Sequence, residues 1–133
     1  MRTGSIPTRN AVRSDPPPPG TDVCACADVA DGASRVVPFG APPQAFELIV
    51  VRSGADVFGY VNECKHMQVA LNLLDDYAVE TNDHHMLCQH HYATYRFNDG
   101  YCIAGPCEGA SLTAVPLAVR GDRIVIAAGS AAR

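Results

Sequence analysis

The stretches "NECKHMQ" at residues 62–68 and "LCQHHYATY" at residues 87–95 interrupt a series of short hydrophobic runs. Each of them contains a cysteine followed closely by a histidine, and each begins where a hydrophobic run stops. Loops that stand between strands are where a β scaffold places its functional side chains. The two stretches therefore predict two loops of a β scaffold whose cysteine and histidine side chains form a site.

The runs around these loops are rich in β-branched and aromatic residues, as in "RVVPF", "FELIVVR" and "VFGYVN". Turn signals separate them: "SGAD" between the last two runs, Asn98-Asp99-Gly100 within "RFNDGYCIA", and Gly121-Asp122 within "VPLAVRGDRIVIAA". "QVALNLLDDYA" favours at most a short helical turn. The sequence predicts a small all-β domain, a sandwich or open barrel of short antiparallel strands.

The length of 133 residues corresponds to one domain. Residues 1–20 include four consecutive prolines and few large apolar side chains, so we expect a flexible tail followed by a domain at residues 21–133. No apolar run is long enough to span a membrane and no export signal is visible, which predicts a cytoplasmic protein without a membrane partner. A net charge of −4 without a basic stripe argues against binding nucleic acid.

The six cysteines are interpreted as reduced, because cytoplasmic thiols seldom form disulfides. Cys24 and Cys26 are predicted to be small hydrophobic residues on one face of the first strand. Cys102 and Cys107 flank a later loop and are expected to be free thiols that pair only if oxidised. None of these four is a predicted metal ligand.

The remaining two cysteines form the motifs Cys64-x-His66 and Cys88-x-x-His91. Three interpretations compete for them. Zinc accepts two thiolates and two imidazoles, although structural zinc motifs mostly group cysteines with cysteines and histidines with histidines. Chance proximity of buried cysteines and surface histidines is a second interpretation. An iron–sulfur cluster in which two histidines replace two cysteines on one iron is the third, and the pattern favours it.

The motifs resemble those of Rieske [2Fe–2S] proteins, whose two boxes read Cys-x-His and Cys-x-x-His on facing loops. The resemblance extends to "TDVCACADVADGASRVVPF" as first strands, to "VALNLL" after the first box and to "CIAGPCEG" as a third loop. It implies a Rieske-like fold with a cluster-binding subdomain built from two loops. It implies that Cys64 and Cys88 bind one iron as thiolates. It implies that His66 and His91 bind the other iron through their ring nitrogens, and that Gly105 and Pro106 lie in a loop that shields the cluster from water.

The sequence departs from the family pattern at places where the family usually has glycine, which are Gln68 and Tyr92 here. We expect side chains to be tolerated there if φ stays negative. A tyrosine that donates to sulfur is retained as Tyr95, whereas the corresponding serine is replaced by Ala93. The resemblance then implies a reduction potential in the lower part of the Rieske range, about −150 to +100 mV.

The function implied is that of a soluble one-electron carrier, a ferredoxin component without substrate chemistry of its own. Its partners would be redox proteins, with a flavin-dependent reductase as donor and an oxygenase as acceptor. Two alternatives remain open. One is a non-catalytic subunit resembling the small subunit of NADH-dependent nitrite reductase, and the other is a zinc-stabilised binding module.

Overall fold

The computed structural model describes residues 16–40, 46–64, 70–71, 84–88 and 92–128. The elements found there are ten short β-strands and one 3₁₀-helix, Cys26–Asp28. The strands are β1 (Asp22–Ala25), β2 (Ser34–Phe39), β3 (Phe46–Ser53), β4 (Asp56–Val61), β5 (His85–Leu87), β6 (Thr94–Arg96), β7 (Cys102–Ala104), β8 (Ala114–Val115), β9 (Leu117–Arg120) and β10 (Arg123–Ile126).

The strands form three antiparallel sheets in the orders β1-β10-β9, β2-β3-β4-β8 and β5-β6-β7. The four-stranded sheet lies between the other two sheets. Successive residues of β3 point to opposite faces, and each face packs against a different sheet. Leu48 and Val50 pack with β1 and β10, whereas Ile49 and Val51 pack with β5, β6 and β7. The run "LIVV" is thus buried on both faces, and the predicted all-β class is confirmed.

The three predicted hairpins are present. Ser53 pairs with Asp56 across the β3–β4 turn, and Arg120 pairs with Arg123 across the β9–β10 turn. In the β6–β7 hairpin, the carboxylate of Asp99 accepts the N–H of Tyr101 at 3.0 Å. The three turns are thus confirmed. They were predictable because turn residues form hydrogen bonds with the backbone immediately beside them.

The 3₁₀-helix corrects the prediction for Cys26. Strand β1 ends at Ala25, so Cys24 and Cys26 do not share a strand face. The carboxylate of Asp28 accepts the N–H of Ala25 at 3.1 Å, which favours a helical turn over continued strand. Both cysteines still contact the apolar cluster between the first and middle sheets, Cys24 as a buried member and Cys26 at its margin.

The predicted tail lies mostly outside the described residues, and so does most of "QVALNLLDDYA"; those two predictions stay predictions. At residues 18–21 the chain is tied to β10, since the N–H of Gly20 donates to the carbonyl of Ile126 at 2.7 Å. In the part of the chain that the structure describes, no helix has the length and apolar character to cross a membrane.

Candidate metal centre

The first box follows β4, and Asn62 determines how the chain leaves that strand. The Asn62 amide donates to the carboxylate of Glu47 at 3.0 Å, and its oxygen accepts the N–H of Leu71 at 2.8 Å. The Asn62 side chain is buried, with 2% of the residue exposed. Its hydrogen bonds therefore tie both ends of the loop that contains Cys64 to the middle sheet.

The second box follows β5 and closes on itself. The N–H of Cys88 donates to the carbonyl of Ala93 at 2.8 Å, and the N–H of Tyr92 donates to the carbonyl of Cys88 at 2.7 Å. This closure places Tyr92 at φ +63°, with 69% of the residue exposed. The condition of a negative φ is not met at Tyr92, because the chain needs a left-handed residue to turn back toward β6. Gln68 lies outside the described residues.

The third loop, between Cys102 and Ala110, lies against the backbone of the second box. A Cβ atom added to Gly105 would come within 2.7 Å of the Ala93 Cα atom and 3.2 Å of the Tyr92 carbonyl oxygen. Gly105 also has φ +101°, so this position suits glycine on both counts. The loop thus lies beside the second box, as the resemblance implies, and the shielding role of Pro106 stays a prediction.

The two box cysteines are buried together. Cys64 and Cys88 are both fully inaccessible to solvent and belong to one hydrophobic cluster with Tyr95. The Tyr95 hydroxyl lies 3.4 Å from the Cys64 sulfur. A metal-bound thiolate has no proton, so in that state Tyr95 is the donor. Two buried sulfurs with a hydroxyl donor beside one of them fit the thiolate half of a [2Fe–2S] site.

A second pair of sulfurs lies next to this centre, and the sequence reasoning missed its connection to it. The Cys107 sulfur is 2.9 Å from the Tyr95 hydroxyl and 3.4 Å from the Cys102 sulfur. The Cys102 thiol in turn donates to the carbonyl of Ala104 at 3.2 Å. Burial raises the pKa of the Cys107 thiol to about 11, so the thiol is protonated at neutral pH.

Both predicted histidine ligands, His66 and His91, lie outside the described residues, so the set of four ligands stays a prediction. The described residues, which lack these two, include no group of three His, Cys, Asp or Glu side chains suited to a metal ion. His84, just before the second box, has a structural environment of its own. Its Nε2 atom lies 3.5 Å from the Asp31 carboxylate, and its ring meets the Phe97 ring edge-on.

Comparison with solved structures finds the same fold in several proteins. A ferredoxin of Sphingomonas yanoikuyae B1 is similar with a TM-score of 0.62 and 20% identity, over 81% of this chain and 97% of that one. The ferredoxin of carbazole 1,9a-dioxygenase from Nocardioides aromaticivorans IC177 gives a TM-score of 0.59 and 22% identity, over 80% and 95% of the two chains.

The terminal oxygenase of carbazole 1,9a-dioxygenase from Novosphingobium sp. KA1 is similar over 94% of this chain but only 31% of its own, with a TM-score of 0.63 and 19% identity. No curated protein sequence matches the chain. The model of the Rieske [2Fe–2S] domain family matches residues 21–120, which include both boxes and the third loop. The domain of this family carries a [2Fe–2S] cluster, and the chain belongs to the Rieske [2Fe–2S] domain family.

Proposed function

We propose that the chain is a one-electron carrier that takes electrons from a flavin-dependent reductase and passes them to an oxygenase. Its cluster would be held by Cys64, His66, Cys88 and His91. The observation on which this rests is the joint burial of Cys64 and Cys88 in one hydrophobic cluster with the Tyr95 hydroxyl. The two cysteines follow strands of different sheets and are buried in this one cluster, which supports a shared ligand set.

The bound cluster supplies one electron at a time, and the ligand types set the range of its potential. Neutral imidazoles in place of two thiolates leave less negative charge, so reduction becomes easier, at roughly −150 to +300 mV compared with about −400 mV for four thiolates. Tyr95 stabilises the reduced state by donating to the Cys64 sulfur. Ala93 has no hydroxyl to donate, and we therefore expect the lower part of the range, about −150 to +100 mV.

The protein surface near the second box suits contact with a partner. Tyr92 directly follows His91 in the sequence, and 69% of Tyr92 is exposed. A redox partner that docks over His91 would therefore contact this ring. Aromatic side chains are common anchors in protein interfaces, since they give a large contact area at a small cost in conformational entropy.

The choice of partner is supported by the similar structures. They include ferredoxins of dioxygenase systems and a complex of reduced oxygenase and oxidised ferredoxin in carbazole 1,9a-dioxygenase. The chain spans about a third of the terminal oxygenase chain that it resembles. We further propose a cytoplasmic setting, in which the four cysteines outside the ligand set are free thiols unless they are oxidised, and a domain at residues 21–133 that follows a flexible tail.

The first experiment measures iron, acid-labile sulfide and the EPR spectrum of the dithionite-reduced protein. We expect two irons and two sulfides per chain and the rhombic signal with low average g that mixed histidine–cysteine ligation produces. Alanine variants of each of the four ligands should lose this signal. Matched variants at Cys24 and His85, residues of the same types outside the boxes, should retain it. A colourless protein that contains one zinc per chain would overturn the proposal.

The second experiment tests transfer itself. The reduced protein is mixed with excess oxidised cytochrome c. The amount of cytochrome c that becomes reduced is then divided by the amount of cluster in the sample. One cytochrome per cluster is expected for a one-electron carrier, whereas failure to reoxidise would contradict the role. Co-elution with a large complex from its own source, with no free pool, would instead favour a fixed subunit of the nitrite reductase type.

A further inference from the structure

Cys102 and Cys107 are neighbours in space as well as in sequence. Their sulfur atoms are 3.4 Å apart, at opposite ends of the six-residue segment "CIAGPC". The backbone of Cys102 is held by two hydrogen bonds, from its own N–H to Ala110 at 2.8 Å and from the N–H of Gly109 at 3.0 Å. Cys102 is fully buried, whereas Cys107 is partly accessible to solvent.

We propose that Cys102 and Cys107 form a reversible disulfide whose formation strengthens the hydrogen bond from Tyr95 to Cys64. A disulfide needs its sulfurs at about 2.05 Å, so they must approach by little more than one ångström. Cys107 lies in the turn after Pro106, outside β7, so a movement of its side chain would leave the strand that holds Cys102 in place. The second half of the proposal rests on the proposed function, and the first half does not.

The oxidant proposed is a low-molecular-weight disulfide, RSSR. The accessible Cys107 thiol loses its proton and its thiolate attacks one sulfur of RSSR, which forms a mixed disulfide and releases RS⁻. The Cys102 thiolate then attacks the Cys107 sulfur, which forms the Cys102–Cys107 bond and releases a second RS⁻. Two protein thiols are oxidised and one RSSR is reduced to two RSH. Because burial raises the pKa of the Cys107 thiol, the exchange is slow at neutral pH.

The coupling to the centre runs through Tyr95. The Cys102 thiol donates to Ala104 and the Cys107 thiol donates its one proton to Cys102, so the Cys107 sulfur accepts from the Tyr95 hydroxyl at 2.9 Å. That hydroxyl also has one proton, and the Cys64 sulfur at 3.4 Å competes for it. Disulfide formation draws the Cys107 sulfur toward Cys102 by about one ångström, out of this hydrogen bond, and shifts the tyrosine proton toward Cys64. More donation to the Cys64 sulfur favours the reduced cluster and raises its potential.

The test of the disulfide uses the purified holoprotein, equilibrated with excess oxidised glutathione, quenched with acid, alkylated while unfolded and digested with trypsin. The peptide of residues 97–120 contains Cys102 and Cys107 as its only cysteines. We expect this peptide without alkyl groups and two hydrogens lighter, returning to the doubly alkylated form after treatment with dithiothreitol. The peptide of residues 14–35, with Cys24 and Cys26, is the internal control and should remain doubly alkylated.

Full alkylation of the 97–120 peptide, or a persistent glutathione adduct on Cys107, would overturn the proposal even if the cluster is present. The coupling is tested by protein-film voltammetry of oxidised and reduced samples of the wild type and of Tyr95→Phe. We expect oxidation to raise the midpoint potential of the wild type and to leave that of Tyr95→Phe unchanged. An equal shift in both proteins, or none in the wild type, would refute the role of Tyr95. Absence of any cluster signal would count against the proposed function alone.

Discussion

The backbone at Tyr92 predicts that this residue strains the second box. Among the described residues, Tyr92 and His84 are the non-glycine residues with positive φ. A side chain in the left-handed region costs about 1–2 kcal/mol, because its Cβ approaches the following carbonyl oxygen. Glycine has no such contact, although it loses about 0.5–1 kcal/mol more backbone entropy than alanine on folding.

The informative comparison is between Tyr92→Ala and Tyr92→Gly. Both remove the same exposed ring, so their difference isolates the Cβ atom. The backbone strain that glycine relieves is larger than the extra entropy that glycine loses on folding. Tyr92→Gly should therefore be about 0.5–1 kcal/mol more stable than Tyr92→Ala. A matched pair at Tyr101, whose φ is not positive, should show the reverse order, with glycine less stable by about 0.5–1 kcal/mol.

The assay is thermal unfolding of the four variants at one scan rate, followed by circular dichroism and by visible absorption. A difference of 1 kcal/mol corresponds to about 3–5 °C in the midpoint for a domain of this size. Tyr92→Gly should therefore unfold a few degrees above Tyr92→Ala. If Tyr92→Gly is instead the less stable of the two, as at Tyr101, Tyr92 does not adopt a left-handed backbone and the reasoning fails.

Three other predictions concern the loops around the centre. Gly105→Ala should lower the stability by about 1–3 kcal/mol more than Gly109→Ala, because both positions have positive φ but only Gly105 faces the backbone of Ala93; thermal midpoints of the two variants check this, and equal losses would contradict it. Asn62→Ala should cost about 1–3 kcal/mol by leaving a buried N–H without its acceptor, and it should speed iron release to a chelator; unchanged release would contradict the role of Asn62 in holding the first box. The pKa of Asp31 is lowered, mainly by the hydrogen bond from the Gly54 N–H and next by the one from His84. The Asp31 carboxylate therefore contributes stability above the unfolded pKa near 3.8, and this contribution is lost as pH falls through the folded pKa. The difference in midpoint between the wild type and Asp31→Asn should therefore shrink between pH 5 and pH 2, whereas a constant difference would refute this assignment.

The strands and hairpins were predictable because their causes are local. Asp99 binds the N–H of Tyr101 two residues away, and such turn chemistry is visible in the sequence. The alternation of Leu48 and Ile49 between two clusters explains an uninterrupted apolar run, which periodicity alone leaves ambiguous between strand and helix. The number of sheets that cover β3 could not be read from the sequence, since it depends on which strands pair.

The features that the sequence did not reveal have non-local causes. The positive φ of Tyr92 follows from the hydrogen bonds that close the loop between Cys88 and Ala93, which no residue at position 92 announces. The contact of Cys107 with Tyr95 depends on how β7 lies beside β6. The sequence indicates that Cys102 and Cys107 pair if oxidised, but only the packing shows that they adjoin the predicted centre.

The position of the two box cysteines makes the last sheet dependent on the site that it helps to build. Cys64 follows β4 of the middle sheet, whereas Cys88 follows β5, and β5, β6 and β7 have only three residues each. Strands this short make few hydrogen bonds, and a small sheet of them is marginal without further packing. A group bound to both sulfurs joins this sheet to the middle one, and binding free energy of that kind adds directly to folding stability. The same shortness places Tyr95, one residue from the end of β6, within reach of sulfurs on either side, Cys64 and Cys107. The short strands thus have two effects. They make this sheet marginal without a bound group, and they place Tyr95 where the redox state of Cys107 affects its hydrogen bond to Cys64.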